Sequence, residues 1–259
     1  MQSTHETFTV VVLRDTVYKE SDKILTILAR GKGIVTAKAR GVMKSGSMLS
    51  AGCQTFAFSE FTVYEYAGKL LIERADVQDQ FEGLRSDLPS FALAANVAEL
   101  AEIFGATDTP EDESLFRLVL NTLFALAYRP AIRREKIKAA FELRLCADCG
   151  FAPDLDGCVV CGREPKEPLF ALESGQIFCR DCYEGGDEEL YLLSPRLLAA
   201  LKQALFAELR QFLSFRLDER EGAVFCEIAE KYVLLQTELP ESLKYYRSLL
   251  PSAETPAGV

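Results

Sequence analysis

Cys158-Val-Val-Cys161-Gly162 and Cys179-Arg-Asp-Cys182 contain two C-x-x-C pairs, with seventeen residues between Cys161 and Cys179. This spacing predicts a tetrahedral zinc site, because each pair forms a tight knuckle whose two thiolates point the same way. Gly162 ends the first knuckle, where a left-handed turn favours a residue without a Cβ. Since a closed four-cysteine site is usually structural, this stretch predicts a site that supports the fold more than one that performs catalysis.

Two other pairings of the cysteines are possible. Disulfides are disfavoured, because the N-terminus MQSTHETFTVVVLRD reads as a strand rather than a signal peptide and cytosolic thiols stay reduced. A third pair, Cys146-Ala-Asp-Cys149, could join Cys158 and Cys161 and leave the last two cysteines as a redox or second-metal pair. The eight intervening residues would form a cramped loop, so the predicted ligands remain Cys158, Cys161, Cys179 and Cys182. Cys53 and Cys226 are expected to be small buried hydrophobes.

Composition describes an ordinary soluble protein of two or three modules. The chain has 259 residues, of which 49% are hydrophobic and 26% charged. No run of about eighteen apolar residues occurs, so no membrane-spanning helix and a cytoplasmic location are expected.

The distribution of charge matters more than its sum. The net charge of −10 argues against a nucleic-acid partner. Six basic and no acidic residues lie between Lys23 and Ser59, however, whereas 30 acidic and 19 basic residues follow residue 80. Because nucleic-acid binding depends on the patch that meets phosphate, a basic binding surface is predicted near the N-terminus.

The first eighty residues predict β structure. Short β-branched or aromatic segments alternate with glycine turns. The predicted strands are Phe8–Leu13, Lys23–Arg30, Ile34–Arg40, Phe56–Tyr66 and Lys69–Ala75. Five short strands favour a small closed barrel of the OB type.

After Phe81 the apolar periodicity becomes helical. Predicted helices are Pro89–Phe104, Glu111–Tyr128, Ala131–Leu145, Leu197–Phe206, Glu219–Thr237 and Leu243–Leu250, with Ser194-Pro195 capping the fourth. The third helix and the residues just before it are rich in basic residues from Arg129 to Arg144. This pattern is equally typical of a solvated helix face and of a binding surface.

The residue inventory disfavours catalysis. His5 is the only histidine, and no phosphate-binding G-x-x-x-x-G-K-[ST] loop is present. Carboxylates are abundant, but their spacing selects no acid–base pair. A binding protein without catalytic residues is therefore expected.

Several short motifs follow one another along the chain. They include Val11-Val-Leu-Arg14, Gly31-Lys-Gly33, Ala37-x-Ala39-Arg40-Gly41, and the run from Gly150-Phe-Ala-Pro153 through Cys158-x-x-Cys161-Gly162 to Gly175 and Cys179-x-x-Cys182. Together these motifs resemble the RecO family of bacterial recombination mediators. Their order along the chain is more specific than any one of them.

The resemblance implies an α+β multidomain protein, with an N-terminal OB barrel and a helical domain carrying an inserted four-cysteine zinc module. The expected boundaries are 1–80 for the barrel, 81–152 and 188–250 for the two parts of the helical domain, 153–187 for the module and 251–259 for a disordered tail. Similar proteins bind single- and double-stranded DNA, anneal strands, associate with RecR and the acidic tail of single-strand binding protein, and help load RecA. They are not enzymes, and the zinc is structural.

At residue level, the expected DNA contacts come from the basic stretch of the barrel. They are Arg30, Lys32, Lys38, Arg40 and Lys44, with Tyr18 either stacking a base or packing on the barrel. A protein-interaction scaffold with secondary DNA contact is the main alternative, with Lys202 and Arg210 as possible rim residues for an acidic tail. A zinc-dependent nucleic-acid-modifying enzyme is disfavoured by the lack of an internal histidine.

Overall fold

The computed structural model describes residues 5–105 and 113–250. The chain divides into two compact units. The first contains the residues up to Tyr128 and those from Leu239 onward, and the second runs from Arg129 to Glu238. The predicted tail and the start of the helix predicted at Glu111 lie outside the described residues. Within the described ranges, no helix combines the length and apolarity needed to span a membrane.

The first unit begins with a closed five-stranded barrel in the order β1-β2-β3-β5-β4. Its strands are β1 His5–Tyr18, β2 Asp22–Ala29, β3 Gly33–Ala39, β4 Phe58–Tyr66 and β5 Lys69–Asp79. The barrel closes because β1 pairs antiparallel with β4 through its first half and with β2 through its second. This architecture confirms the predicted OB-type barrel.

Strand β1 is longer than predicted. The predicted segment Phe8–Leu13 covers only its buried part, whereas residues 14–18 continue the pairing from Arg14 opposite Thr26 to Tyr18 opposite Asp22. A register shift between Val12 and Arg14 separates the two halves. The prediction was wrong because the added residues are exposed or half-buried, so they lack the apolar signal that marks a strand.

Alternating side chains fill the barrel. On β3, Ala37 and Ala39 are 1% and 0% exposed, while Lys38 between them and Arg40 beyond them lie on the other face. The inward residues join a core that includes Phe61, Leu25 and Ile27. The alternation of buried alanines with Lys38 and Arg40 therefore places the two cations outside the barrel.

Within its described residues, the first unit also contains four helices. They are α1 Glu82–Arg85, α2 Leu88–Phe104, α3 Ser114–Tyr128 and α7 Glu241–Leu249. The N–H of Ser90 donates to the side chain of Asp87, which caps α2 at 3.0 Å. Helix α1 was not predicted, because a single turn produces no periodicity.

The second unit combines three helices with a small sheet. The helices are α4 Arg134–Asp148, α5 Pro195–Phe206 and α6 Glu219–Leu234. The sheet has the order β6-β8-β7-β9, with β6 Asp154–Cys158, β7 Leu169–Ala171, β8 Gln176–Phe178 and β9 Leu190–Leu192. Ser194 accepts a hydrogen bond from the N–H of Leu197 at 3.1 Å, which confirms the predicted cap of α5.

Basic residues of α4 largely serve the interior of the second unit. Lys138 is 6% exposed and lies 2.6 Å from carboxylate oxygens of both Glu142 and Glu230. Burial alone would lower the pKa of Lys138, but the two carboxylates outweigh it and raise that pKa. Arg144 pairs with Asp148 at 2.8 Å. For these two residues, both the solvated-face interpretation and the binding-surface interpretation are wrong.

Candidate metal centre and nucleic-acid interface

The sulfur atoms of Cys158, Cys161, Cys179 and Cys182 all lie within 4.8 Å of one another. A tetrahedral ion with metal–sulfur bonds of about 2.3 Å would place its sulfurs about 3.8 Å apart. The Cys161 and Cys179 sulfurs are 3.7 Å apart, which fits such an ion and excludes a disulfide between them. The four predicted ligands therefore form one possible metal site.

Backbone hydrogen bonds shape the two knuckles. At the first, the N–H of Gly162 donates to the carbonyl of Cys158 at 2.8 Å, and the φ of Gly162 is +70°. At the second, the N–H groups of Cys182 and Tyr183 both donate to the carbonyl of Cys179. Each pair of thiols is thereby turned toward the other, and the left-handed turn predicted at Gly162 is confirmed.

Arg163 lies beside this cluster. Its Nε donates to the Cys161 sulfur at 3.3 Å, and this hydrogen bond lowers the pKa of Cys161 to about 6. The pKa of Cys182 is raised, and its hydrogen bond to Cys161 is the largest cause. Four thiols this close cannot all ionise without added positive charge, because each thiolate disfavours the next. A divalent ion would supply that charge, so the donor set fits a structural metal.

The other four cysteines lie outside the metal cluster. Cys53 and Cys146 are buried, and burial raises the pKa of each to about 12. Cys146 belongs to α4, so the alternative that joins the Cys146–Cys149 pair to Cys158 and Cys161 is not the arrangement seen. Cys226 is only half-buried and donates to the carbonyl of Glu135 at 3.5 Å.

Helix α6 packs against the small sheet. The rings of Phe170 on β7 and Tyr232 on α6 lie 6.3 Å apart. Gly175, in the turn between β7 and β8, has a φ of +66°, and a Cβ there would lie 2.6 Å from the Tyr232 hydroxyl. Lys231 of α6 pairs with Glu189 and Glu227, which raise its pKa. An aromatic contact and a charge cluster thus fix the cysteine-bearing sheet on α6.

The five predicted DNA-contacting residues occupy the barrel's strand ends and loops, but three of them are in ion pairs. Arg30 lies 2.9 Å from Glu113, Lys32 3.0 Å from Glu6, and Lys38 2.9 Å from Asp22. The pKa of Asp22 is lowered, mostly by a hydrogen bond from the Gly41 N–H and then by Lys38. The pKa of Glu113 is lowered mostly by its hydrogen bond from Arg30. Phosphate would have to compete with these carboxylates.

Arg40 and Lys44 differ from the other three. Both are exposed, and neither forms an ion pair with any residue that the structure describes. The Arg40 guanidinium lies over the Tyr66 ring, 6.0 Å from its centroid. The carbonyl of Gly41 accepts from the Lys44 N–H at 3.1 Å, which starts the loop after β3. These two cations are the ones already available to an anion.

A separate groove of about 470 Å³ opens in the second unit, between the start of α4 and the segment that precedes α6. Its apolar lining includes Ile132, Phe215 and Phe225, and its basic lining Arg133, Lys136 and Arg216. Lys136 donates to the carbonyls of Leu213 and Phe215, and burial is the main reason that its pKa is lowered. Arg133 and Arg216 are exposed, and among the described residues neither has an acidic partner.

The groove is not lined by the basic residues suggested from the sequence. Lys202 pairs with Asp156 at 3.2 Å, and Arg210 pairs with Glu208 at 2.7 Å. The groove was missed because its walls are about eighty residues apart in sequence. The sequence predicts Tyr66 only as the end of an aromatic strand and gives it no functional role. The alternation that buries Phe61 and Val63 places Tyr66 on the outer face and could have identified it.

Fold and site together define an OB-barrel protein with a helical region and a four-cysteine metal cluster. The profile of the recombination protein O N-terminal domain matches residues 1–81, and the profile of the C-terminal domain matches residues 85–244. The chain therefore belongs to the recombination protein O family, RecO.

Curated relatives agree. The chain is 34% identical over 174 residues to the DNA repair protein RecO of Desulforamulus reducens, which covers 66% of each chain. It is 32% identical over 202 residues to that of Heliobacterium modesticaldum, covering 75% of this chain and 71% of the relative. With the protein of Symbiobacterium thermophilum the identity is 28% over 247 residues, covering 94% and 96%.

Proposed function

We propose that this chain is a DNA repair and recombination mediator that binds single- and double-stranded DNA and anneals complementary strands. With RecR, it helps load RecA onto DNA covered by single-strand binding protein, in the cytoplasm at the nucleoid. The observation that carries the proposal is membership of the RecO family over both halves of the chain, joined to a closed barrel with outward cations. No covalent step is assigned to any residue.

DNA contacts belong to the five basic residues of the barrel. Arg40 and Lys44 make the first phosphate contacts, because neither is paired with a carboxylate of the described residues that it would first have to release. Arg30, Lys32 and Lys38 exchange a carboxylate for a phosphate as the complex tightens. The Arg30 and Lys32 pairs are exposed and therefore weak, so their exchange costs little. The Lys38 pair, with both side chains only 17% exposed, is the harder one to exchange.

Zinc is the proposed ion of the cysteine cluster, with Cys158, Cys161, Cys179 and Cys182 as its ligands. Four thiolates in paired knuckles are the donor set typical of structural zinc. The ion leaves no open coordination position, so its role is to hold the small sheet together.

The acidic tail of single-strand binding protein is proposed to bind the groove between α4 and the segment preceding α6. Arg133 and Arg216 would pair with carboxylates, while Phe215 and Phe225 provide an apolar floor. This assignment replaces Lys202 and Arg210, which already hold acidic partners.

An annealing assay with fluorescent complementary strands, repeated with single-strand binding protein, tests the proposed activity. The double variant Arg40→Glu/Lys44→Glu should anneal more slowly. The slope of log binding constant against log salt should fall by about 0.7 for each lost single-strand phosphate contact. Lys166→Glu/Arg180→Glu makes the same charge change in the zinc module and should behave as the wild type. An unchanged salt slope in the barrel variant would sink its assignment.

The alternative function is a protein-interaction scaffold with secondary DNA contact, favoured by the apolar and basic groove. Titration of a labelled acidic peptide against the wild type and Arg133→Glu/Arg216→Glu tests the groove itself. Peptide binding together with a wild type that anneals no DNA would favour the scaffold over the mediator.

A further inference from the structure

Two aromatic–cation pairs flank the end of β3, and Lys19 adds a second cation 5.5 Å from the centroid of the Tyr18 ring. On one side, the Lys38 ammonium lies over the ring of Tyr18, 4.5 Å from its centroid. On the other, the Arg40 guanidinium lies over the ring of Tyr66 at 6.0 Å. Lys38 lies in β3 and Arg40 directly follows its last residue, Ala39, so the two alternate positions place both cations on the same outer face.

Strand order places the two rings on opposite sides of these cations. Tyr18 ends β1, which reaches β3 through β2, and Tyr66 ends β4, which reaches β3 through β5. Both rings keep exposed surface, 38% for Tyr18 and 63% for Tyr66. Because each ring is already held by a cation, little side-chain freedom remains to be lost when a flat ligand stacks on it.

The surface beside Arg40 suits a base better than a phosphate. A shallow cleft of about 370 Å³ lies there, lined in part by the rings of His5 and Tyr64 and by the carboxylate of Glu73. His5 and Glu73 are paired at 3.2 Å. A carboxylate repels phosphate but accepts hydrogen bonds from the amino group of a base.

We propose that Tyr18 and Tyr66 stack unpaired bases while Lys38 and Arg40 hold the intervening phosphates, so that this barrel face is specific for single strands. The inference rests on the proposed DNA binding and deepens it. In a duplex the bases are stacked on one another and only the backbone reaches the cations. The two tyrosines therefore act on single strands, whereas the cations act on both forms of DNA.

Fluorescence anisotropy of the full chain, with three probes of equal length, tests this assignment. The probes are a mixed-sequence single strand, the same backbone made abasic, and the corresponding duplex. Tyr18→Leu and Tyr66→Leu should each weaken binding of the normal single strand at least about fivefold, the lower end for one stacked base. Binding of the abasic strand and of the duplex should not change.

Matched variants separate stacking from folding and from charge. Tyr18→Phe and Tyr66→Phe keep the ring and should bind like the wild type. Tyr245→Leu removes a tyrosine of the same unit that is 51% exposed and should also change nothing. Arg40→Glu should weaken all three complexes and lower the salt slope.

Two results would overturn the inference while leaving the proposed function intact. One is equal weakening of the normal and abasic strands by the leucine variants, and the other is no weakening at all. A wild type that binds none of the three probes would instead contradict the proposed DNA binding.

Discussion

The chain contains two β structures that are stabilised in different ways. The barrel has strands of seven to fourteen residues around fifteen buried residues among those described. The sheet of the second unit has strands of three to five residues, and four cysteines join its β6 end to the turn after β8. A sheet this small cannot bury enough apolar surface alone, so we expect it to depend on a bound metal ion as well as on α6.

The barrel and the small sheet also differ in charge. The barrel segment from Lys23 to Ser59 contains six basic residues and no acidic one. From Asp154 to Leu192, ten acidic residues meet three basic ones, a net charge of −7 out of −10 for the chain. The acidity of the whole chain therefore comes mainly from the segment with the small sheet and the cysteine cluster, and says little about the barrel.

Metal removal should separate the two structures most strongly. We expect Cys179→Ser, or chelation of the ion in the wild type, to abolish hydrogen-exchange protection in the small sheet while the barrel strands stay protected. The reason is that ligand binding supplies the folding free energy of such a site. Elemental analysis would show the loss of one equivalent of the bound metal.

Cys53→Ala is the matched control, because Cys53 is a buried barrel residue outside the cluster. It should keep the metal and lower only the stability of the barrel. A Cys179→Ser protein that retains full metal content and sheet protection would contradict the assigned dependence.

The buried ion pair of α4 should give the next largest effect. Lys138→Met removes the ammonium shared by Glu142 and Glu230, and we expect a loss of about 3–5 kcal/mol in the free energy of unfolding. Lys231→Met, whose ion pairs are half-exposed, should lose much less. Urea denaturation measures both. Equal losses would mean that burial does not increase the contribution of the Lys138 ion pairs to the free energy of unfolding.

Gly175→Ala should disturb the contact between the small sheet and α6. The added Cβ would lie 2.6 Å from the Tyr232 hydroxyl at a φ of +66°, so we expect a loss of about 1–3 kcal/mol. Tyr232→Phe removes the hydroxyl and should recover part of that loss in a double-mutant cycle. Gly150→Ala shares the positive φ but meets no atom within 4 Å, so its smaller loss measures backbone strain alone.

Local patterns were sufficient to predict the five barrel strands, the positions of α2 to α7 but not most of their bounds, and the four clustered cysteines. These features depend on spacing within one segment, such as the alternation that buries Ala37 and Ala39 or the two C-x-x-C pairs.

Tertiary pairing could not be predicted in the same way. Arg30 pairs with Glu113, and Lys138 with Glu230, across more than eighty residues in each case. Nothing in a single segment indicates which basic residues are neutralised by the fold. The groove near Phe215 and the availability of Arg40 and Lys44 depend on the same long-range contacts.

The smallest predicted effect concerns how α7 is held in the barrel unit. Glu99 of α2 accepts hydrogen bonds from the N–H groups of Glu241 at 3.2 Å and Ser242 at 2.9 Å, so it caps the start of α7. Burial works to raise the pKa of Glu99, but these bonds and the Ser242 hydroxyl outweigh it and lower the pKa below its usual value. We expect Glu99→Gln to lose about 1 kcal/mol at neutral pH, as for other lost caps.

The sign of the pH dependence follows from that lowered pKa. A carboxylate that is more acidic in the folded state stabilises it above the unfolded pKa, and this stability disappears as pH falls through the folded value. The difference in unfolding free energy between the wild type and Glu99→Gln should therefore shrink on acidification below the ordinary pKa of 4.5. Glu102→Gln on the same helix, whose partner is the exposed Arg14, is the control and should leave α7 unaffected. If the Glu99→Gln difference stayed constant with pH, the cap would act through shape rather than charge, because glutamine keeps the size of the side chain but not its titration.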